Sequence, residues 1–310
     1  MTLSTNQQHI RALFSRLAPS EGYTRSLLDG VRFMRSNHPV GRTPVLYEPS
    51  IVIVCQGRKR GYLGDAVYVY DAQHYLVLSV PLPFFTETEA SPEDPMLGIA
   101  IRLDLSVVAE LLVKVGEREL PTDPPKGIAS TPLDEGLSNA TLRLLESLSS
   151  PMDAKILAPD VVREICYRVI TGEQGEAIRA ALAHQGQFGR VSRALKRIHA
   201  DYAQTLNVTG LAHDAGMSVA AFHSHFKTIT QSSPIQYIKS IRLHEARLMM
   251  IRDNLTAAAA SARVGYESPS QFSREFRRFF GRSPGNEARD MKSLFALLPA
   301  TQLEAAVSGR

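Results

Sequence analysis

The last third of the chain carries the same supersecondary pattern twice, and this limits the possible fold more than any composition figure. Setting Ser218 on Ser268 also matches Phe222 with Phe272, Phe226 with Phe276, Lys227 with Arg277, Ser233 with Ser283 and Pro234 with Pro284, all 50 residues apart. Upstream the offset falls to 49, pairing Asn207 with Thr256 and Gly216 with Gly265. The second unit therefore has one extra residue in its turn. A repeat interrupted only by a turn-length change indicates a duplicated structural unit.

Each unit reads as cap, helix, glycine turn, cap, helix. Asn207 and Thr256 can accept from the free amides of a first helix, and Gly216 and Gly265 tolerate a left-handed backbone. Ser218 and Ser268 then cap a second helix, where Pro269 suits the first helical position. "GLAHDA" and "AAAASA" place small residues on the first helices, so the paired helices can cross closely. This is helix-turn-helix geometry.

In the second helix Phe272, Phe276 and Phe279 follow i, i+4, i+7, as do Phe222, Phe226 and Ile229 in the first unit, and these faces are expected to be core. The opposite faces present Ser270, Gln271, Ser273, Arg274, Arg277 and Arg278 in one unit and Ala220, His223, Ser224 and Lys227 in the other. Small polar side chains with cations behind them suit a major groove: the former approach base edges, the latter reach phosphates. The plainer reading, a solvated basic helix, does not account for two copies at fixed spacing. Two reading helices joined by a rigid spacer over residues 235–251 could enter successive major-groove segments roughly 34 Å apart.

Charge supports this division. Before residue 190 there are 18 basic and 22 acidic side chains; from it onward there are 17 and 9, so the halves stand near −4 and +8. One half is expected to meet a polyanion. The polar, glycine-containing "AHQGQFGR" of residues 183–190 is the expected boundary. It separates an N-terminal domain over residues 1–185 from a DNA-binding domain over 190–292, followed by a tail over 293–310.

The N-terminal half reads as β followed by α. "VLYEPSIVIVCQ", "AVYVYD", "HYLVLSV" and "MLGIAIRL" are strand-like, while "GRKRGYLGD", "PLP" and "ASPEDP" separate them as turns. Arg58, Lys59 and Arg60 are accordingly expected in a solvated hairpin. Close strand spacing predicts a small barrel or sandwich. "LSVVAELLVKV", "LDEGLSNATLRLLESL" and "APDVVREICYRVIT" then show helical spacing, as do Ile10, Leu13, Phe14 and Leu17 near the N-terminus. The fold class is α+β. Two cysteines, Cys55 and Cys166, provide no disulfide framework and suit a reducing compartment. No run approaches the ~18 apolar residues of a membrane span, and a cytoplasmic location without membrane partners is expected.

At "GMSVAAFHSHFK", "QYIKSIRLHEARLMM", "ARVGYESPSQFSREFRRFFGRSP" and both Ser-Pro pairs, the sequence resembles the DNA-binding domain of the AraC/XylS family of bacterial transcription regulators. "LYEPSIVIVCQGRKRGYLGD", "YDAQHYLVLSVPLP" and "EASPEDPMLGIAIRLD" resemble the cupin-like N-terminal barrel of one branch of that family, used for effector sensing or dimerisation. The resemblance implies a homodimeric regulator of promoter DNA, an activator that brings in RNA polymerase, with no cofactor. It places base contacts on Ala220, His223 and Ser224, and on Ser270, Gln271, Ser273 and Arg274. Many relatives have a basic residue where this chain has Ser224, so the first helix departs from the pattern. Ser218, Lys227, Ser268, Arg277, Arg278 and Arg282 are the expected phosphate contacts. Gln271 and Arg274 carry the chemistry to pair with adenine and guanine.

Two other functional classes bear on such a chain. A cupin-type metal enzyme fused to a DNA-binding domain would need clustered ligands, whereas the barrel region offers only the separated His38 and His74. A barrel serving only as a dimerisation platform is the other. If a small-molecule effector binds, the barrel interior is its expected site, and inward alternation nominates Ile53, Cys55, Val67, Val69, Leu76 and Leu78.

Overall fold

The computed structural model describes residues 5–116, 126–173, 175–182 and 186–296. The chain opens with helix α1 (Thr5–Leu17). Nine strands follow: β1 (Gly22–Arg25), β2 (Val31–Ser36), β3 (Val40–Tyr47), β4 (Ser50–Gln56), β5 (Arg58–Leu63), β6 (Ala66–Asp71), β7 (His74–Leu78), β8 (Leu82–Glu89) and β9 (Met96–Arg102). Helix α2 (Leu105–Val115) precedes β10 (Ile128–Pro132), and helices α3 (Glu135–Ser147), α4 (Pro151–Ile156), α5 (Ala158–Thr171) and α6 (Gly175–Leu182) complete the first half. The second half is helical: α7 (Gln187–Asp201), α8 (Val208–Asp214), α9 (Val219–Thr230), α10 (Pro234–Arg252), α11 (Ala257–Arg263), α12 (Pro269–Phe280) and α13 (Pro284–Ala296).

The strands form an antiparallel sheet in the order β1-β2-β9-β4-β7-β6-β5-β8-β3, curled into a half-barrel. β7 has β4 on one edge and β10 on the other, so β6 meets β7 only at the Asp71–His74 pair. The end strands β1 and β3 face one another through the Tyr23 and Tyr47 hydroxyls, 3.5 Å apart. One face of the sheet packs on α1, α2, α3 and α5, through residues such as Ile53, Val77 and Ile99 against Phe14, Val108, Leu144 and Ile165.

The other face lines the interior, where Val52, Val54, Leu76 and Leu78 meet Leu63, Tyr70, Leu82 and Phe84. This core does not stop at the sheet. It continues through Phe188, Leu195, Leu211, Phe222, Phe226 and Tyr237 of α7 to α10, so the half-barrel and the first helix-turn-helix unit share one apolar cluster. The Tyr237 hydroxyl donates to the Pro81 carbonyl at 2.7 Å across this junction. The second unit has its own core around Leu243, Met250, Phe272 and Phe276.

The structure corrects several sequence expectations. Arg58–Leu63 lies in a hairpin as expected, but as its first strand, paired with β6, and not as its solvated turn, which lies at Gly64 and Asp65. Alternation turns Lys59 inward, where it is 6% exposed. Of the nominated interior residues only Leu76 and Leu78 face the interior. Ile53 and Cys55 point to the helical layer, and Val67 and Val69 face solvent at 52% and 36% exposure, because Tyr68 and Tyr70 occupy the inward positions of β6. Strands β1, β2, β8 and β10 were not anticipated. Residues 183–185 of the expected boundary, and 297–310 of the expected tail, lie outside the described residues. The boundary at 190 falls within α7, whose Phe188 is buried.

Candidate nucleic-acid interface

Local chemistry builds the two reading units as the repeat suggested. The Asn207 side chain accepts from Gly210 N–H at 2.6 Å, and Thr256 Oγ1 accepts from Ala259 N–H at 3.2 Å. Ser218 Oγ accepts from Ala221 N–H and Ser268 Oγ from Gln271 N–H, each at 3.3 Å. Gly216 and Gly265 hold φ of +62° and +81°, the left-handed conformation the turns need. Helix α10 spaces the units. Tyr237 and Ile241 seat its first half in the shared core, and Leu243, Ala246 and Met250 seat its second half in the separate core.

The aromatic faces are buried: Phe222, Phe226, Phe272 and Phe276 have no measurable exposure. Tyr266 meets Phe272 edge to face at 5.3 Å, closing the core beneath α12. Turning these faces inward leaves the opposite ones free. Ala220, Ser224 and Lys227 of α9 are exposed with His223 half-buried beside them, and Ser270, Gln271, Ser273, Arg274, Arg277 and Arg278 of α12 are all exposed. Lys227, Arg274 and Arg277 have no carboxylate partner among the described residues.

Three nominated phosphate contacts also have partners within the protein. The Ser218 and Ser268 hydroxyls serve as helix caps. Arg282 is tied to Glu287 and Asp290, both at 2.9 Å, so its guanidinium is already engaged. Arg278 borders a cleft of about 280 Å³ between the half-barrel and the second unit, whose walls include Phe84, Phe85, Lys239 and Phe279.

Sequence reasoning missed the support beneath α12. Arg242 of α10 donates to the carbonyls of Tyr202, Gln204 and Gly265 at 2.7, 2.8 and 3.0 Å, anchoring the second turn. Glu275 accepts from Lys239, Tyr266 and Gln271. Only its i, i+4 relation to Gln271 could have been read in advance.

The N-terminal half offers different chemistry. His74 Nδ1 lies 3.1 Å from Asp71 in the β6–β7 turn, and His38 sits against Glu21. Among the described residues no three His, Cys, Asp or Glu side chains converge as a metal site would require. Burial pushes the Cys55 and Cys166 thiols up to about 12 and about 11, so neither is a thiolate at neutral pH. Lys59, by contrast, is a buried cation whose Nζ donates to Thr88 Oγ1 at 2.7 Å and meets no carboxylate among the described residues. Its cross-strand neighbour Tyr70 is fully buried. No described helix is long and apolar enough to cross a membrane.

Comparison with known proteins places both halves. An AraC-type transcriptional regulator N-terminus matches residues 27–177, and a helix-turn-helix domain matches residues 211–290. The Msm operon regulatory protein of Streptococcus mutans is 26% identical over 103 residues, 33% of this chain and 37% of that protein. The chain thus spans little more than a third of that relative. The thermoregulatory protein LcrF of Yersinia pestis is 24% identical over 190 residues, 61% of this chain and 69% of LcrF. Among solved structures, unsaturated fatty acid bound ToxT from Vibrio cholerae shares the fold with a TM-score of 0.55 at 11% identity, over 87% of this chain and 97% of that one. A half-barrel of AraC type fused to a duplicated helix-turn-helix makes this chain a member of the AraC family of transcriptional regulators.

Proposed function

We propose that the protein is a sequence-specific regulator of transcription that reads promoter DNA with α9 and α12. The observation that carries this reading is the pair of exposed polar and cationic faces, each backed by buried phenylalanines and held at a fixed separation by α10. Within it, Ala220, His223, Ser224, Ser270, Gln271, Ser273 and Arg274 approach base edges, and Lys227, Arg277 and Arg278 meet phosphates. Activation through RNA polymerase, homodimerisation through the N-terminal half and a cytoplasmic location belong to the same reading and rest on the family.

The half-barrel interior is the proposed effector site. One ToxT structure carries an unsaturated fatty acid and another carries (E)-4-(8-methylnaphthalen-1-yl)but-3-enoic acid. Here the apolar interior holds Lys59 without a counter-charge, which would suit an organic acid: a buried cation is costly until an anion joins it.

Selection of bound sequences from random DNA, using the full chain and Arg274→Ala in parallel, tests the DNA reading. The wild-type protein should enrich a motif, and the variant should lose about 1–3 kcal/mol of specific binding with relaxed preference at one base pair. An enriched motif that Arg274→Ala leaves unchanged in sequence and affinity would remove Arg274 from the reading face, and no enrichment at moderate salt would remove the sequence-specific function.

A further inference from the structure

Glu275 lies on the reading helix, yet its carboxylate is turned aside from the exposed face and is 16% accessible. Three donors converge on it. Lys239 Nζ of α10 reaches Oε1 at 2.7 Å, the Tyr266 hydroxyl reaches Oε2 at 2.8 Å, and Gln271 Nε2, one turn earlier on α12, reaches Oε1 at 3.2 Å. The carboxylate is therefore positioned by the spacer helix, the interhelix turn and the reading helix together. Burial raises its pKa, but the hydrogen bonds from Lys239, Gln271 and Tyr266 outweigh this and bring it below the ordinary value. It is ionised at neutral pH.

An ionised carboxylate only accepts hydrogen bonds, so the amide atom turned toward it must be the nitrogen of Gln271. The reverse orientation would set two acceptors against each other. A free glutamine can turn its amide to suit the base it meets; this one is held. Glu275 takes one N–H, leaving Oε1 and the second N–H for the groove. In the major groove adenine offers its N6 donor beside the N7 acceptor and cytosine offers its N4 donor, whereas guanine and thymine offer acceptors.

We propose that Glu275 is a specificity-positioning residue: by holding Gln271 Nε2 it leaves Gln271 one acceptor and one N–H for the groove, the pair that adenine's N6 and N7 match in full, and it disfavours guanine, whose two acceptors a single N–H cannot both satisfy. This rests on α12 being a base-reading helix. It requires no contact between Glu275 and DNA, and it gives the Lys239–Glu275–Tyr266 cluster a role that packing alone does not require.

The test uses the full chain on its selected DNA sequence, with all four bases placed in turn at each position. Gln271→Ala should abolish preference at one base pair and so identify it. Glu275→Ala should reduce the adenine-over-guanine ratio at that same pair by at least about five-fold, while binding to non-cognate DNA stays equal or rises because a negative charge has gone. Adding Glu275→Ala to Gln271→Ala should cause no further loss of preference, since both act through one amide. Glu275→Gln preserves volume and tests the same point if the alanine variant folds poorly: its amide can offer Gln271 a donor, so preference should move toward acceptor bases. An undiminished ratio in whichever Glu275 variants fold, or losses that add in the double variant, would overturn the proposal. If Gln271→Ala leaves every preference unchanged, the base-reading role of Gln271 fails first and this inference falls with it.

Discussion

Replacing Lys59 by methionine should stabilise the protein near neutral pH and lose that advantage in alkali. The lysine is 6% exposed and its hydrogen-bond partner is the Thr88 hydroxyl. Burial brings its pKa down from 10.5 to about 8. At 1.36 kcal/mol per pH unit, the charged form costs the folded state about 3 kcal/mol. Methionine fills similar space without charge but leaves the Thr88 hydroxyl without its donor, a loss of about 1 kcal/mol. The net gain at pH 7 should be about 2 kcal/mol. Below pH 8 both folded and unfolded lysines are protonated, so the penalty is constant. Between about pH 8 and 10.5 the unfolded lysine keeps a proton that the folded one has released, and wild-type stability rises relative to the variant. The gap should therefore close, by up to about 1.4 kcal/mol per pH unit, and reverse slightly near pH 10.5. The chain has no tryptophan, so urea unfolding is best read by far-ultraviolet circular dichroism. Parallel stability curves for the two proteins across this window would refute the reasoning.

Two further expectations concern the second reading unit. Gly265 and Gly281 share nearly the same φ, +81° and +79°, but a Cβ at Gly265 would lie 2.4 Å from the Ala203 carbonyl oxygen while one at Gly281 would meet nothing within 4 Å. Gly281→Ala should cost about 1–2 kcal/mol from backbone strain alone, and Gly265→Ala distinctly more, with loss of DNA binding; equal losses in urea unfolding would contradict the close approach. His244 is buried edge-on to Phe279 and Phe280, and desolvation, followed by the charge of Arg247, brings its pKa from 6.5 to about 3. Its folded form resists protonation, so the protein should lose stability as pH falls from about 6.5 toward 3, by at most about 5 kcal/mol. His244→Leu should flatten that fall; an unchanged acid limb in thermal melts would assign it to other groups.

The legible parts of the sequence were those whose causes are local. Asn207, Ser218, Thr256 and Ser268 cap the helices, Gly216 and Gly265 make the turns, and the phenylalanine spacing sets the buried faces, each within a few residues of what it controls. The half-barrel was harder for specific reasons. β4 is buried on both faces, so its apolar run does not reveal which parity faces the interior. In β6 the valines look like core, but the larger tyrosines take the inward positions. In β5 the inward set is Lys59, Gly61 and Leu63, and a charge and a glycine conceal the period of two. The Glu275 cluster depended on Lys239, 36 residues away in sequence.

The apolar core that runs unbroken from the half-barrel into α7, α8, α9 and the first half of α10 also bears on how such chains can be recombined. Helices α7 to α10 cover Leu76 and Phe84 of the half-barrel, and the half-barrel in turn covers Leu195 and Phe226, so parting the two would divide a single core. A second seam lies midway along α10, between Ile241 and Leu243, where one core ends and the next begins and only contacts such as Lys239–Glu275 and those of Arg242 continue across. A chimaera exchanging only the helices beyond that seam would inherit a new second reader while keeping the half-barrel and first reader as one inseparable body.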